Sequence, residues 1–179
     1  MTFDRLLPLV LLAACGSPPQ TCSTCADAGQ RVTDGGAPPV DAGVTSGVVV
    51  NELASLDDFI ELFNRGVQAV DLTGHLVAHR APDGGVQRAD AVALGGSLGA
   101  GQYLVLSSVA ADAGGLTFTF NLSNGSGDTI FLLGTDGGVV DEVTFPPDSH
   151  NAGESWGRRP NGTGAFQKLT TRSPGTVNP

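Results

Sequence analysis

The sequence has few aromatic and few basic side chains. Aromatic residues make up 6% of its 179 residues, and Lys and Arg number 9 against 18 Asp and Glu. From Ser46 to the end, 14 acidic residues face 7 basic ones, a formal charge of −7. Binding to a nucleic-acid backbone requires the opposite sign, and an anionic lipid surface would repel the same residues. The composition therefore predicts neither partner for this part of the chain.

Long apolar runs are also lacking. The run near the N-terminus, Leu6 to Leu12, is too short to span a bilayer and has the length of a signal-peptide core. It ends in Leu12-Ala13-Ala14-Cys15, which resembles the lipobox of bacterial lipoproteins. The resemblance implies a signal peptide over residues 1–14, cleavage before Cys15 and acylation of the Cys15 thiol, for example with palmitate.

The N-terminal charge leaves one alternative open. Asp4 offsets Arg5, so an ordinary signal peptide followed by an incidental Cys also fits. Lipidation with several acyl chains would give stable anchoring, whereas a single chain binds only marginally. Gly16 stands where an Asp could direct retention at the inner membrane, which favours the outer membrane of the cell envelope, facing the periplasm or exposed at the surface.

Residues 15–46 are rich in Pro, Gly and Ala, with little that a core could bury. Such a segment cannot recover its ordering entropy, so we expect a flexible linker that carries the lipidated Cys15. Cys22 and Cys25 form a CxxC pair without the strand and helix that flank a redox motif. A local disulfide is the preferred interpretation over a redox centre, and zinc would need four ligands where this pair supplies two.

After Gly47, short apolar runs alternate with Gly-rich and Asp-rich turns, and the length allows one domain, residues 47–179. Many short strands without a convincing long helix predict an antiparallel sandwich or a closed antiparallel sheet. The predicted strands are Val48–Leu53, Phe59–Asn64, Leu76–His79, Tyr103–Leu106, Leu116–Phe120, Thr129–Leu133 and Val139–Phe145.

The stretch from Val48 to Gly66 fits two structures. It could hold a helix capped by Ser55, with Ile60 and Phe63 in its apolar stripe, or two strands joined by a turn. The all-β surroundings favour two strands, because tertiary context can override local helix propensity.

Five segments, in order, resemble the bacterial form of the lamin tail domain. The resemblance implies an all-β, immunoglobulin-like antiparallel β-sandwich in which the first two predicted strands are neighbours. It departs from the family at His75, where a large aromatic residue is common. The segments are Val48–Val77, Leu98–Ser107, Gly127–Phe145, Glu154–Gln167 and Arg172–Asn178.

Glu52 and Glu61 match acidic positions of that family. Strand alternation places Glu52 on the face of Val48 and Val50, and Glu61 on the face of Phe59 and Phe63. Buried carboxylates need partners, so we predict structural ion pairs with Arg158 and Arg159.

The turn between the first two predicted strands suggests a weaker hypothesis, a Ca²⁺ site that includes Asp57 and Asp58. Such a site needs six or more oxygen ligands, of which the sequence shows only some. No other cofactor is expected.

Three further sets of residues are candidates for a metal site, a nucleophile and a binding anchor, and for each of them a structural role is favoured. His75 and His79 could share a strand face, but they lack a third ligand, since His150 is distant in sequence. Ser97 lies in a Gly-x-Ser-x-Gly pattern typical of hydrolases, yet a strand follows where that chemistry needs a helix. Trp156 is expected to plug the core or an edge rather than to anchor a partner.

The sequence therefore favours a non-enzymatic envelope lipoprotein that presents a binding or structural module to an unidentified envelope protein or, next, a polysaccharide. Two alternatives stay open: a Ca²⁺-dependent adhesion or matrix module, and an accessory domain of a hydrolase or redox system.

Overall fold

The computed structural model describes residues 47–108 and 116–179. The expected signal peptide, the linker, Cys15, Cys22 and Cys25 lie outside those residues. The described part contains twelve strands: β1 Val48–Ala54, β2 Phe59–Asn64, β3 Val70–Asp71, β4 Leu76–Arg80, β5 Val86–Ala93, β6 Ser97–Leu98, β7 Tyr103–Ser107, β8 Leu116–Thr117, β9 Asp128–Leu133, β10 Val139–Phe145, β11 Ser155–Arg159 and β12 Ala165–Leu169.

The strands form two main sheets. One has six strands in the order β12-β11-β1-β2-β7-β8, the other has four in the order β10-β9-β4-β5, and β3 pairs with β6. Every pairing is antiparallel except that of β7 with β8. Residues 47–108 and 116–179 contain no helix long and apolar enough to cross a membrane. The prediction of an all-β fold built from antiparallel sheets is confirmed.

The core lies between the two main sheets. Val50 and Ile60 come from the six-stranded sheet, Ile130 and Leu132 from the four-stranded one, and all four are fully buried in one cluster. Phe residues offset the scarcity of other aromatic side chains, because Phe118 and Phe145 are the largest fully buried side chains of that cluster. Opposed apolar faces of two packed sheets define a β-sandwich.

The stretch from Val48 to Gly66 forms strands rather than a helix. β1 and β2 pair along their whole length, and the turn between them is Ser55–Asp58. Asp58 closes that turn with φ +48°, a conformation that Asp tolerates better than most residues. The two-strand prediction holds because every residue of β1 is buried and pairing satisfies its backbone.

A bulge in β1 corrects the expected direction of Glu52. The register between β1 and β2 shifts between Val50 and Glu52, so Asn51 is the additional residue. A one-residue shift sends every following side chain to the other face of the sheet. Glu52 therefore lies opposite Glu61 on the outer face, whereas Val50 and Leu53 both enter the core. The prediction that Glu52 shares a face with Val50 was wrong.

The sequence missed the strands with the most polar outer faces. β5 is an edge strand of eight residues in which no residue is fully buried, and β11 contains Gly157 and two Arg residues. The strand predicted over Leu116–Phe120 stops at Thr117, although Phe118 and Phe120 are buried beyond it. The structure of these segments depends on strand pairing and packing, which cannot be predicted from local hydrophobicity.

Candidate functional site

The first candidate site is the acidic pair Glu52 and Glu61. Both side chains are fully buried, and the two residues face each other across β1 and β2. Glu52 accepts hydrogen bonds from the Ser155 hydroxyl at 2.5 Å, and from the amide and hydroxyl of Ser173 at 2.9 and 2.8 Å. The C-terminal strap, defined as residues 173–178, therefore covers the outer face of the six-stranded sheet at this point.

Glu61 is held by neutral donors as well. Its carboxylate accepts from Asn51 Nδ2 at 2.8 Å and from the amide of Gly175 at 2.6 Å. Gly175 has φ +78°, which a residue with a Cβ adopts only under strain. Burial raises the pKa of Glu61 to about 7 from its ordinary 4.5, against the lowering effect of the Asn51 and Gly175 hydrogen bonds, and the charge of Glu52 adds to the rise.

The predicted ion pairs of these acids with Arg158 and Arg159 were wrong. Arg158 Nη2 binds Asp141 of β10 at 3.0 and 3.1 Å, and its Nε donates to the Val50 carbonyl at 2.9 Å. Arg159 is exposed. The bulge explains the difference, since it turns Glu52 outward while Arg158 lies over the Phe166 ring, which packs against the core.

Asn51 and Asn178 complete the network around the acids. Asn51 Nδ2 also donates to Asn161 Oδ1 at 2.9 Å, and its Oδ1 accepts the amide of Gly162 at 2.8 Å. Asn178 Nδ2 donates to the Arg158 carbonyl at 2.8 Å. Asp and Glu are rarely buried without a charged partner, and Asn51 supplies Glu61 with one of the neutral donors that such a carboxylate requires.

Asp57, the first of the two turn carboxylates, has protein partners. Asp57 Oδ1 binds Arg172 Nη1 at 3.0 Å, and Asp57 Oδ2 accepts the amide of Gly153 at 2.8 Å. In the described ranges no group of three or more His, Cys, Asp or Glu side chains could hold a metal ion. The contacts of Asp57 thus do not favour the Ca²⁺ hypothesis for Asp57 and Asp58.

His150 is buried between two hydroxyl groups. Its Nε2 accepts from the amide of Ser55 at 2.9 Å and lies 3.0 Å from the Ser55 hydroxyl, and its Nδ1 lies 2.9 Å from Ser149 Oγ. An amide can only donate, so Nε2 is unprotonated and Nδ1 carries the proton. Burial lowers the pKa of His150, which favours this neutral form.

The remaining sequence candidates do not assemble a catalytic group. Ser97 is exposed in the two-residue strand β6, whose partner is β3, and His150 contacts Ser55 instead. Trp156 packs against the core, as predicted. His75 lies beside β4 and is nearly buried, in line with a structural role.

The second candidate site is an open cleft of about 660 Å³ at one end of the four-stranded sheet. Three carboxylates, Asp83, Asp90 and Asp128, line it together with the guanidinium of Arg80. The other lining residues are His79, Ala81, Pro82, Gly84, Gln87, Asn121, Ser123, Ser126 and Gly127. Polar groups converging in a concave surface are typical of a binding site.

His79 organises the cleft. Its Nε2 lies 3.3 Å from Asp90 Oδ2, its Nδ1 lies 3.7 Å from Asp128 Oδ2, and its ring stacks on Phe120 at 4.6 Å between centroids. Because each ring nitrogen faces a carboxylate, the imidazole holds the carboxylates of Asp90 and Asp128 on two sides of the cleft. Of these residues the sequence pattern singled out only His79, since the lining comes from β4, β5, β9 and two connecting segments.

A protein-family model matches the chain. The family is described as Lamin Tail Domain, and the match covers residues 42–147, more than half of the sequence. That range contains β1 to β10 and the cleft, while β11, β12 and the C-terminal strap follow it. No curated protein matches the chain.

Proposed function

The chain belongs to the lamin tail domain family, and we propose that it is a lipid-anchored protein of the bacterial cell envelope whose β-sandwich is a non-catalytic binding or structural module. Family membership supports the presence of the β-sandwich module. The binding role needs its own evidence, because function depends on the sites that a fold carries. The Leu12-Ala13-Ala14-Cys15 segment supports the anchor. Gly16 supports placement at the outer membrane.

The cleft is the observation that carries the binding role. It gathers Asp83, Asp90 and Asp128 around Arg80 in a concave surface at one end of the four-stranded sheet. Carboxylates in this excess accept hydrogen bonds and attract basic groups, which suits the Lys and Arg side chains of a protein partner. An envelope protein is therefore the proposed partner, and a polysaccharide, which would use the same acceptors for its hydroxyl groups, is the alternative outcome.

Binding can be tested by cross-linking the full chain in its native envelope and identifying the captured molecule. The cleft variant is Asp90→Asn, which keeps the side-chain shape and removes one charge. The matched control is Glu142→Gln, an exposed residue of β10 outside the cleft. Capture that falls at least tenfold for Asp90→Asn and is unchanged for Glu142→Gln supports the role of the cleft. Equal capture by both variants contradicts it.

The anchor has a separate test. Metabolic labelling with a palmitate analogue should mark the wild-type chain and leave Cys15→Ser unlabelled, and only the wild type should float with membranes. A Cys22→Ser and Cys25→Ser double variant is the control, since it removes the other thiols while keeping Cys15. Label retained by Cys15→Ser would refute lipidation at this residue.

A further inference from the structure

The Glu52 and Glu61 pair is unusual because two acids face each other without a cation. Directly opposed residues in antiparallel strands have Cβ atoms about 5 Å apart, so two ionised carboxylates would repel each other across β1 and β2. Both are fully buried, where water cannot screen that repulsion. One proton on the pair would remove most of the penalty.

The groups on neighbouring elements do not supply a compensating charge. On β11, Arg158 binds Asp141, and Ser155 is neutral. On β7, Tyr103 accepts a hydrogen bond from Asn161 through its phenol oxygen, and its pKa is raised, chiefly by burial. Over the described ranges, no ion pair involves Glu52 or Glu61.

The C-terminal strap is what excludes water from the pair. Ser173 gives Glu52 two hydrogen bonds, and Gly175 gives Glu61 one. Thr176 folds the strap back on itself through its amide and hydroxyl, both of which donate to the Ser173 carbonyl at 3.0 and 3.1 Å. Lifting the strap would therefore expose both carboxylates at once.

We propose that the C-terminal strap is a proton-coupled latch, which closes over the Glu52 and Glu61 pair with uptake of one proton and opens when that proton is lost to water. In the closed form the Glu61 carboxyl is neutral and lies under the strap, next to Glu52. In the open form Glu61 is a hydrated carboxylate. One proton therefore passes between Glu61 and water for each opening.

The direction of the pH effect follows from the charge of Glu61. Its pKa is about 7 under the strap and returns toward 4.5 when the residue meets water. The closed form consequently binds more protons than the open form between these values, so opening becomes easier as pH rises from 4.5 to 7. Below that window both forms are protonated, and above it both are ionised, so the balance is flat on either side.

The direct test is a titration of the Glu61 carboxyl carbon by NMR in the full chain. We expect an apparent pKa near 7, and a fall of at least one unit in a chain that ends at Arg172 and lacks the strap. Gly175→Ala weakens the closed strap in a chain of full length, because it introduces strain at a residue with φ +78°. The pKa of Glu61 should fall in that variant too. An ordinary pKa in the full chain, or a raised one that neither variant changes, would overturn the proposal.

Hydrogen exchange at the amides of Ser173 and Gly175 reports the motion itself. After division by the exchange rate of an unfolded peptide at each pH, protection in the wild type should fall at least tenfold between pH 5 and 7.5, since each pKa unit is a factor of ten. In Glu61→Gln the protection should be independent of pH, because Gln does not titrate. It should also be lower than in the wild type, because the Gln NH2 group would face one of the two donors, Asn51 Nδ2 or the Gly175 amide. Glu142→Gln should behave as the wild type. Protection that is constant in the wild type, or that still falls in Glu61→Gln, contradicts the latch.

Discussion

Arg158 and Asp141 join the two sheets of the sandwich. Arg158 belongs to β11 of the six-stranded sheet and Asp141 to β10 of the four-stranded one, and the Nη2 of the first lies 3.0 Å from Oδ1 of the second. Asp141 Oδ2 also accepts the amide of Val50 at 2.8 Å, beside the bulge of β1. The side chains are 17% and 16% exposed, so the pair is largely shielded from water.

Arg158→Met should destabilise the domain by about 3 kcal/mol, because it leaves the Asp141 carboxylate in a shielded position without its cation. Urea unfolding of Arg158→Met, Asp141→Asn and the double variant measures the coupling. The double variant should lose less stability than the two single variants added together. Lys168→Met is the control, since Lys168 is 43% exposed and its pair with Glu154 should contribute less than about 1 kcal/mol. Equal losses for Lys168→Met and Arg158→Met would contradict this account.

Gly157→Ala should lower stability by about 1–3 kcal/mol through overpacking. A Cβ at residue 157 would lie 2.6 Å from Leu169 Cδ1 and 2.9 Å from Asn178 Nδ2. Gly95→Ala is the matched control, because a Cβ there meets no atom within 4 Å and φ is not positive. Thermal unfolding of both variants checks the difference. A Gly157→Ala variant as stable as Gly95→Ala would mean that β11 and the strap lie farther apart than described.

His150 should make the domain less stable in acid. Its pKa is lowered in the folded chain, so its contribution is complete above pH 6.5 and is lost as pH falls through the folded pKa. The loss should approach about 1.4 kcal/mol per pH unit until the folded group is also protonated. His150→Gln should retain an acceptor for the Ser55 amide without titrating. Unfolding between pH 4 and 8 should show a steeper acid loss in the wild type than in this variant, and parallel curves would refute the assignment.

Phe118→Ala should cost about 3–5 kcal/mol, the usual range for a truncated buried Phe. Phe118 is 1% exposed and belongs to the core cluster, although it lies just beyond β8. Leu56→Ala is the control, because Leu56 is 50% exposed in the turn after β1 and its loss should remain within about 0.5 kcal/mol. Denaturant midpoints report both values. A small loss for Phe118→Ala would exclude this residue from the core.

Much of the strand pattern can be predicted from local signals. β2 and β10 begin and end where alternating apolar residues and flanking turns place them. β5 and β12 could not be predicted in this way, because β5 has no buried residue and β12 only one, whereas β10, also an edge strand, has two. Their pairing partners, rather than their own hydrophobicity, define them.

The surroundings of the Glu52 and Glu61 pair could not be predicted from the sequence, because one additional residue in β1 changes the direction of Glu52. Strand alternation without a bulge sends Glu52 into the core beside Val50, where an arginine partner is the natural expectation. Asn51 adds a residue to β1, and Glu52 turns toward Glu61 and the strap instead. The cleft around His79 combines separate strands and two connecting segments, so no single segment predicts it.

The position of β1 has a consequence for the time course of folding. β1 is the first described strand in the sequence, and it lies between β2, which follows directly, and β11, which begins at Ser155. As the chain is synthesised from its N-terminus, the β1 and β2 hairpin exists with one edge open for about a hundred residues. An unpaired apolar edge promotes aggregation, and such distant pairing slows folding. The earliest of the described strands is thus completed only by β11, which follows ten of the twelve.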